Sequence, residues 1–536
     1  MDYLSLCLIC KNENDYLPEW LDYHILMGVD RFYIYDNESQ VSLRDSLKTY
    51  IDKGWVIVTD IPGFKVQLFA YDHCIQAFGK NTFWMGFIDT DEFLVPKSAP
   101  DIKTILKEYE GYGGLAVSSL FFGSNGNISR PQQGQISAYT LRTPEVFPFN
   151  MLVKVIVQPA YVELPLSPHE FALKDKKYTV NENSYRVDNQ EFPCSIEKIQ
   201  LNHYFCRSEA EIKLKLERGG GARHTAWPRL RFDKVNQFSS IQDTVILQNL
   251  EKYLKALLFD KSGTLSKDMS LLAESVTPSR LEDFSITAIS FDSKITEIIE
   301  FEKQFDLIEA SGDQESIRQW TLKKLQMVPS RAVSYCNLAN RYIELNDIAT
   351  AWQILARGWE IAPNSFAILL GMAYYFLSAQ NFPMAEKTSR LVLEIAPQDL
   401  LSLGFLSESL MGQGKMEEGL RVGLPVIEHQ AMMFGEIPVG MSLYLIGKMA
   451  NYLEDIKDFQ GAAHVWDLGI KIAPNEINIL LGLSRVLMLA GDLTGAGRCL
   501  SQAQKAAPKN EAVLALSVQY QKRLTARGKP TRAVKK

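Results

Sequence analysis

The sequence predicts an α/β domain with a mostly parallel sheet, followed by an all-α solenoid of helical repeats. In the N-terminal part, apolar runs of strand length alternate with helical segments, which is typical of a doubly wound sheet. In the C-terminal part, prolines recur at a fixed interval, as they do in helical repeat arrays. We therefore divide the chain into an α/β domain at 1–250, a helical connector at 251–328, a repeat array at 329–512 and a C-terminal end at 513–536.

Three early apolar runs predict parallel strands that end in polar side chains. The runs are 4–10, 31–35 and 55–58. Asn12 and Glu13 follow the first run, and Asp36 follows the second. Right-handed crossovers bring the carboxyl ends of such strands to one edge of the sheet, where ligands of open α/β sheets bind. The sequence therefore predicts a ligand site at this edge.

An Asp-x-Asp pair ends a further apolar run, 83–88. Side chains two residues apart on an extended segment point the same way, so we expect Asp89 and Asp91 to converge. Carboxylate oxygens suit a hard divalent cation, which can neutralise a diphosphate as it leaves. The alternative is a strand end whose Asp residues only cap a turn or the next helix.

The phosphate-binding patterns of other nucleotide enzymes are missing from the sequence. No glycine-rich fingerprint follows the first predicted strand, and no Walker-type Gly-Lys-Ser/Thr occurs. A phosphate would then be held by the metal and by side chains, which favours nucleotide-sugar chemistry over hydride transfer or P-loop hydrolysis. The net charge of -6 implies no broad basic surface for nucleic acid.

The cysteine usage predicts a cytoplasmic protein. The seven cysteines are scattered and odd in number, which indicates reduced thiols. Cys7 and Cys10 have redox or zinc spacing, but they lie in an apolar run and are expected to pack in the core. We find no secretory signal pattern and no apolar stretch of the ~18 residues that a membrane span needs. The basic tail 527–536 could contact anionic lipid at the inner membrane surface.

Direct attack by an acceptor hydroxyl requires a base that takes its proton. The candidates are Glu145, Glu163 and the pair His169 and Glu170. We predict Glu170 for this role, with His169 beside it, because the pair follows a strand and a proline-containing turn. A purely structural role for His169 is the alternative. The basic, glycine-rich segment 218–224 contains Arg223, which could clamp a diphosphate. The alternative for this segment is a solvent-exposed loop without a role.

Several short motifs occur in order in the N-terminal half. They are Ile9-Cys10-Lys11-Asn12-Glu13, Glu19-Trp20-Leu21-x-x-His24-x-x-x-Gly28-Val29, Tyr33-x-Tyr35-Asp36-Asn37-x-Ser39, Lys65-x-Gln67, Asp72-His73-Cys74, Ile88-Asp89-Thr90-Asp91-Glu92-Phe93, Lys154-x-Ile156-Val157-x-Pro159 and Leu201-Asn202-His203-Tyr204. Through this set, about residues 3–250 resemble glycosyltransferase family 92 and its bacterial relatives of the family 2 type. The aromatic and cysteine pairing of animal members is not evident, so their galactosyl donor is not implied.

This resemblance implies a GT-A fold with a Rossmann-like sheet. It also implies transfer of a sugar from a nucleotide donor, in the first place a UDP-sugar, with Mn²⁺ or Mg²⁺. Asp89 and Asp91 would bind the metal and the donor diphosphate, and His203 would be a third metal ligand. The other implied donor-binding residues are Asn12, Glu13, Asp36 and Lys65. A structural role for His203 inside its apolar run is the alternative.

Prolines spaced by 34 residues mark the C-terminal half. Pro329, Pro363 and Pro397 form one series, and Pro474 and Pro508 form another. Small residues recur in register with them: Ala339, Ala373, Ser407, Ala450 and Ser484 in first helices, and Ala351, Ala385, Gly419, Ala462 and Ala496 in second helices. A 34-residue period is that of tetratricopeptide repeats. We predict five units, at 332–365, 366–399, 400–440, 443–476 and 477–510, forming an array that binds a protein partner.

The sequence thus predicts a metal-dependent glycosyltransferase with a repeat array that recruits a partner or the acceptor. The acceptor would be a glycan, a lipid-linked glycan or a protein. One alternative is a non-catalytic tetratricopeptide adaptor whose N-terminal domain only binds nucleotide or glycan. Another is a phospho- or nucleotidyltransferase that uses the same acids.

Overall fold

The structure, a computed structural model, describes residues 1–217, 227–257, 273, 276–278, 293–433 and 439–527. The chain forms two compact units. The first contains residues 1–341 and 356–368, and the second contains residues 342–355 and those from 369 onwards. The predicted order, an α/β domain followed by helical repeats, is confirmed. None of the described helices is long and apolar enough to cross a membrane.

A mixed sheet, ten-stranded among the described residues, forms the centre of the first unit. Its main path has the order β12-β11-β6-β8-β4-β1-β2-β3, and β13 joins β5 to β6. The strands of the unit are β1 Asp2–Cys10, β2 Arg31–Asp36, β3 Val56–Asp60, β4 Thr82–Phe87, β5 Glu92–Pro96, β6 Gly114–Phe121, β7 Leu141–Arg142, β8 Val153–Val157, β9 Val162–Ser167, β10 Glu170–Leu173, β11 Thr179–Val180, β12 Arg186–Val187, β13 Ile199–His203 and β14 Ile241–Gln242. The predicted parallel strands β1, β2, β3 and β4 are confirmed, whereas β8 runs antiparallel to both β4 and β6.

Helices cover the sheet and continue into the connector. They are α1 Leu17–Leu26, α2 Leu43–Ser46, α3 Lys48–Asp52, α4 Gln67–Phe78, α5 Ile102–Leu106, α6 Gln135–Ala138, α7 Glu209–Glu217, α8 Trp227–Phe238 and α9 Val245–Leu257, then Ser293–Ser311 and Gln314–Met327. Residues 43–52 form two short helices, since Leu47 ends the first and begins the second. Cys7 and Cys10 are buried and unpaired, as their apolar run predicts.

The strand register brings the predicted polar side chains to one edge of the sheet. Cys10 lies opposite Asp36 in the β1–β2 pair, and Asp36 lies opposite Asp60 in the β2–β3 pair. Burial raises the pKa of the Cys10 thiol, and the carboxylates of Glu13, Asp36 and Asp89 raise it further. These acids therefore surround the C-terminal end of β1, as the crossover rule predicts.

Three side chains of α1 hold β5 in place. The Trp20 indole N–H donates to the carbonyl of Glu92 at 2.9 Å, and the Tyr23 hydroxyl donates to that of Leu94 at 2.9 Å. His24 donates from Nδ1 to the Trp20 carbonyl at 2.8 Å and accepts the Leu94 N–H at Nε2 at 3.3 Å. Burial lowers the pKa of His24 to about 3, so the imidazole is neutral. It can therefore donate a hydrogen bond from one ring nitrogen and accept one at the other. The start of β5, where Glu92 lies, is therefore fixed by buried hydrogen bonds.

The repeat array is a series of helices of similar length. Their bounds are Ala332–Glu344, Ile348–Ile361, Phe366–Ser378, Phe382–Ile395, Leu400–Gly412, Met416–Met433, Val439–Asp455, Phe459–Ile472, Ile477–Ala490, Leu493–Ala506 and Glu511–Arg527. Within the second unit, the predicted register appears as equivalent hydrogen bonds. The Ser407 hydroxyl donates to the Gly419 carbonyl at 2.8 Å, and that of Ser484 donates to the Ala496 carbonyl at 3.0 Å. Paired helices thus meet at the small residues that the sequence identifies.

Gly482 tests this close approach of paired helices. A Cβ atom at this position would lie 2.5 Å from the Trp466 ring, so we expect Gly482→Ala to lower the free energy of unfolding by about 1–3 kcal/mol. Chemical denaturation, monitored by circular dichroism, measures this change in the free energy of unfolding. Gly447→Ala is the matched control, because nothing lies within 4 Å of a Cβ there, and it should stabilise by about 0.4–1 kcal/mol. Equal effects of the two substitutions would contradict the packing.

Candidate functional site

The Asp-x-Asp segment is a tight connection between β4 and β5. The Asp89 N–H donates to the Glu92 carboxylate at 2.9 Å, and the Glu92 N–H donates to the Asp89 carbonyl at 3.1 Å. The Tyr204 N–H donates to the Asp91 carbonyl at 2.7 Å, which ties the segment to the residue that follows β13. These hydrogen bonds fix the positions of three carboxylates, which are those of Asp89, Asp91 and Glu92.

A buried lysine neutralises two of these carboxylates. Lys154, in β8, is 2% exposed, and its Nζ lies 2.9 Å from Asp89 Oδ2 and 3.1 Å from Glu92 Oε2. Burial alone would lower the pKa of Lys154, but the two carboxylates outweigh it and raise the pKa above its ordinary value. Burial raises the pKa of Glu92 to about 8, because Lys154 only partly offsets the loss of water and the charges of Asp89 and Asp91.

Sequence reasoning did not assign a role to Lys154, although a signal was present. It is the one charged residue in the apolar strand 153–157. A lysine is almost never fully buried unless it is paired. A lysine at that position therefore predicts carboxylate partners, and Asp89 and Glu92 are those partners.

Asp91 faces His203 across a short gap. His203 Nε2 lies 3.7 Å from Asp91 Oδ1, and His203 Nδ1 lies 3.6 Å from Glu92 Oε1. Burial lowers the pKa of His203 to about 3, so its imidazole is neutral near pH 7. Burial alone would raise the pKa of Asp91, but Lys215, His203 and Arg207 outweigh it and hold that pKa well below its usual range. The pair is therefore an ionised carboxylate beside a neutral imidazole.

This pair fits a divalent metal in part. Across the described ranges, no group of three His, Cys, Asp or Glu side chains is arranged to hold a metal ion. Asp91 and His203 offer one oxygen and one nitrogen, and a carboxylate behind Nδ1 is the usual support of a metal-binding histidine. Mg²⁺ in nucleotide sites often takes only one or two protein ligands, with water and phosphate completing its shell. Of the three predicted ligands, the structure brings Asp91 and His203 together and pairs Asp89 with Lys154.

An open cleft of about 820 Å³ lies beside these residues. Its lining includes Asn12, Glu13, Asp91, Arg207 and Lys215. The volume is within the range of ligand pockets, and two predicted donor-binding residues thus share a cavity with the Asp-x-Asp segment. Three cationic side chains, Arg130, Arg207 and Lys215, line the same cleft together with four carboxylates, so an anionic ligand would need a metal ion to offset the acids.

Arg207 links the parts of this cleft, and sequence reasoning missed it. Its guanidinium donates to Glu13 Oε2 at 2.8 Å, to Gln135 Oε1 at 3.0 Å and to Thr90 Oγ1 at 3.3 Å. The Gln135 amide in turn donates to the Thr90 carbonyl at 3.2 Å. Gln135, the first residue of α6, is therefore linked by hydrogen bonds to the Asp-x-Asp segment.

Asn12, which lines the cleft, also contacts the turn after β2, as Asp36 does. Asn12 Oδ1 accepts the Gln40 N–H at 2.7 Å, and Asp36 Oδ1 accepts the Ser39 N–H at 2.9 Å, so both support the turn after β2. Lys65 is exposed, and its ammonium lies over the Phe64 ring. Arg223 lies outside the described residues, so its predicted role stays a prediction.

His169 and Glu170, the two residues predicted for the catalytic base, have different hydrogen-bond partners. The His169 Nδ1–H donates to the Val153 carbonyl at 2.8 Å, which leaves the Nε2 lone pair available. Burial, with Lys154 adding to it, lowers the pKa of His169 to about 4. The Glu170 carboxylate instead accepts two hydrogen bonds from Arg331, at 2.6 and 2.5 Å. The preference for Glu170 over His169 is therefore corrected, because a carboxylate clamped by a guanidinium is a poor proton acceptor.

Comparison with known proteins agrees with the motif resemblance. Residues 3–204 match the family model of glycosyltransferase family 92. A family 92 protein of Oryza sativa is 28% identical over 183 residues, covering 33% of this chain and 31% of that protein. One of Ricinus communis is 31% identical over 187 residues, covering 33% of each. The chain thus spans about a third of the length of the curated relatives it matches, and the family resemblance is confirmed for residues 3–204.

Solved structures with helical repeats resemble the array only loosely. Pseudomonas aeruginosa pilF is 14% identical, with a TM-score of 0.34, and the match covers 42% of this chain and 100% of that one. YrrB, described as a TPR protein with an unusual peptide-binding site, is 13% identical, with a TM-score of 0.28, and the match covers 37% and 97%. The tetratricopeptide pattern of this chain is carried by its repeat spacing and helix bounds.

Lys154→Met tests the buried charge cluster. We expect it to lower the free energy of unfolding by about 3–5 kcal/mol, because two carboxylates lose their buried partner. Adding Glu92→Gln should recover part of this loss. Denaturant unfolding of the parent, the two single variants and the double variant measures the coupling free energy between the two side chains. Lys48→Met is the matched control: its ammonium lies 2.9 Å from Asp52 but is exposed, and its loss should cost at most about 0.5 kcal/mol. Equal losses for both lysines would contradict the cluster's role.

Proposed function

With a family 92 domain at residues 3–204 as the premise, we propose that this chain is a glycosyltransferase that moves a sugar from a nucleoside-diphosphate sugar to a hydroxyl acceptor. One observation carries the proposal: at a single edge of the sheet, Asp91 and His203 face each other beside a cleft lined by Asn12 and Glu13. This is where open α/β sheets bind nucleotides.

We assign the donor to the cleft and the metal to the pair Asp91 and His203. Mn²⁺ or Mg²⁺ would be the ion, and a bound ion would supply charge neutralisation for the diphosphate. Lys215 lies 3.5 Å from Asp91 Oδ2, and Arg207 lines the same cleft, so two fixed cations add to that neutralisation. A UDP-sugar is the donor we propose first.

His169 is the base that we propose for the acceptor. In a direct displacement, an acceptor oxygen forms a bond to the sugar's anomeric carbon as the bond from that carbon to the phosphate oxygen breaks. The electron pair leaves with the nucleoside diphosphate, and the acceptor proton moves to His169 Nε2. The Val153 carbonyl holds the imidazole in the tautomer that leaves this nitrogen free, and Lys154 beside it keeps the imidazole unprotonated.

The repeat array would recruit a protein partner or the acceptor. Tetratricopeptide arrays form extended concave surfaces, which suit peptides and subunits. The array supplies no group to the chemistry in this proposal. A cytoplasmic site of action, with a glycan, lipid-linked glycan or protein as acceptor, is the setting we propose.

Nucleotide binding is the first test. At a UDP concentration of about 100 times Kd, binding should stabilise the chain by about 2.7 kcal/mol, and we expect this thermal shift only when Mn²⁺ is present. Asp91→Asn should remove the metal-dependent part. Asp60→Asn is the matched control, since Asp60 ends a neighbouring strand but is exposed and pairs with Arg44. If no nucleoside diphosphate gives a metal-dependent shift, the adaptor alternative is favoured. Pyrophosphate in place of nucleoside diphosphate as product would instead indicate nucleotidyl transfer.

The pH dependence of transfer tests His169. A neutral imidazole is required, so kcat/KM should fall on the acid side as pH drops towards the lowered pKa of about 4. His169→Gln should slow transfer by about 10²–10⁴ and should remove that acid limb, while UDP binding with Mn²⁺ is unchanged. A variant that keeps the rate and the acid limb of the parent would exclude His169 as the base.

A further inference from the structure

The first unit has a second cavity, which His169 lines and which is separate from the cleft lined by Asp91 and Arg207, called the nucleotide cleft below. Its volume is about 480 Å³, and its lining includes His169, Glu170, Tyr178, Asp188 and Arg331. It shares no lining residue with the nucleotide cleft. A different ligand from the donor therefore has a place here, next to the imidazole that we assign as the base.

Several polar side chains that line this cavity are buried and held in ion pairs. Arg331 and Glu170 make a bidentate pair, and both are more than four-fifths buried. Asp188 is 7% exposed; its Oδ1 pairs with Arg186 at 2.6 Å, whereas its buried Oδ2 has no hydrogen-bond partner among the described residues. A buried carboxylate oxygen without a donor costs free energy unless a ligand or water supplies one.

The chemistry of the lining selects a neutral, hydroxyl-rich ligand. Five cationic side chains and four carboxylates line the cavity, so there is no strong excess of either charge. The cations are Lys174, Lys176, Lys177, Arg186 and Arg331, and the carboxylates are Glu170, Asp175, Asp188 and Glu360. Hydrogen-bond donors and acceptors together suit the hydroxyls of a sugar. Tyr178 is 36% exposed, and the Arg186 guanidinium lies over its ring at 5.0 Å, so an aromatic ring and a cation share this wall of the cavity.

The site is longer than one sugar. An adjoining cavity of about 350 Å³ shares Leu166, Asn189, Val328 and Arg331 with the first. Its lining adds Phe301 and Phe305 from the helical connector. The two cavities together form a groove, and Arg331 lines both of its parts.

We propose that this groove binds a neutral oligosaccharide and presents its terminal hydroxyl to His169, so that residues from the end of the connector and the start of the repeat array, within 298–337, complete the acceptor site. This inference rests on the proposed function for the fate of the hydroxyl, but the binding of the saccharide does not. It identifies the acceptor as a glycan, and it assigns part of its recognition to residues beyond the segment 3–204 that matches the family.

Binding of trisaccharides to the full chain tests the groove. Maltotriose, cellotriose and mannotriose are titrated by calorimetry and saturation-transfer NMR, and at least one should bind. Tyr178→Ala and Asp188→Asn should each weaken that binding about tenfold, the first through the lost ring and the second through the lost carboxylate charge. Tyr444→Ala is the matched control, because Tyr444 is a similarly exposed aromatic residue of the array, and it should leave binding unchanged.

The outcomes separate the two proposals. Failure of all three trisaccharides to bind, or equal binding by the parent, Tyr178→Ala and Asp188→Asn, would overturn the groove. UDP binding with Mn²⁺ is measured on the same samples. Loss of nucleotide binding in the parent with saccharide binding retained would remove the proposed transferase function and leave the saccharide groove standing.

Discussion

The ammonium of Lys154 is the group on which the geometry of the site depends. Asp89, Asp91 and Glu92 place three carboxylates within four residues, and without compensation their repulsion would spread the turn open. Lys154 holds two of them from a neighbouring strand, and it does so in surroundings that exclude water. Lys154 belongs to β8, which runs antiparallel to β4, and its side chain reaches the turn that follows β4.

The strand β8 contacts residues near both cavities. Lys154 faces the Asp-x-Asp turn, and the carbonyl of the preceding residue, Val153, orients His169. Asp91 lines the nucleotide cleft, whereas His169 and Glu170 line the groove. In a reaction that joins two substrates, two separate cavities give each substrate its own place.

Local patterns predicted much of this, and long-range pairing accounts for what they missed. The strand ends, the Asp-x-Asp pair and the small residues of the repeats follow from spacing along the chain, which sequence shows directly. The partner of Asp89 is 65 residues away, and the partner of Glu170 is 161 residues away. Neither pairing has a local signature, so Glu170 appeared free to act as a base. A lysine inside an apolar strand was the one clue to the first pairing.

The hydrogen bonds of His24 have a consequence for the whole α/β domain in acid. The imidazole is fully enclosed and must accept the Leu94 N–H, so the folded chain takes up a proton there only with great difficulty. The unfolded chain binds that proton at about pH 6.5. Through this group, acidification favours unfolding by about 1.4 kcal/mol for each pH unit between about 6.5 and 3. The raised pKa of Glu92 acts in the opposite sense, because the folded chain holds a proton there between about pH 8 and 4.5 that the unfolded chain releases. The response of the domain to acid therefore depends on two buried groups that partly offset each other.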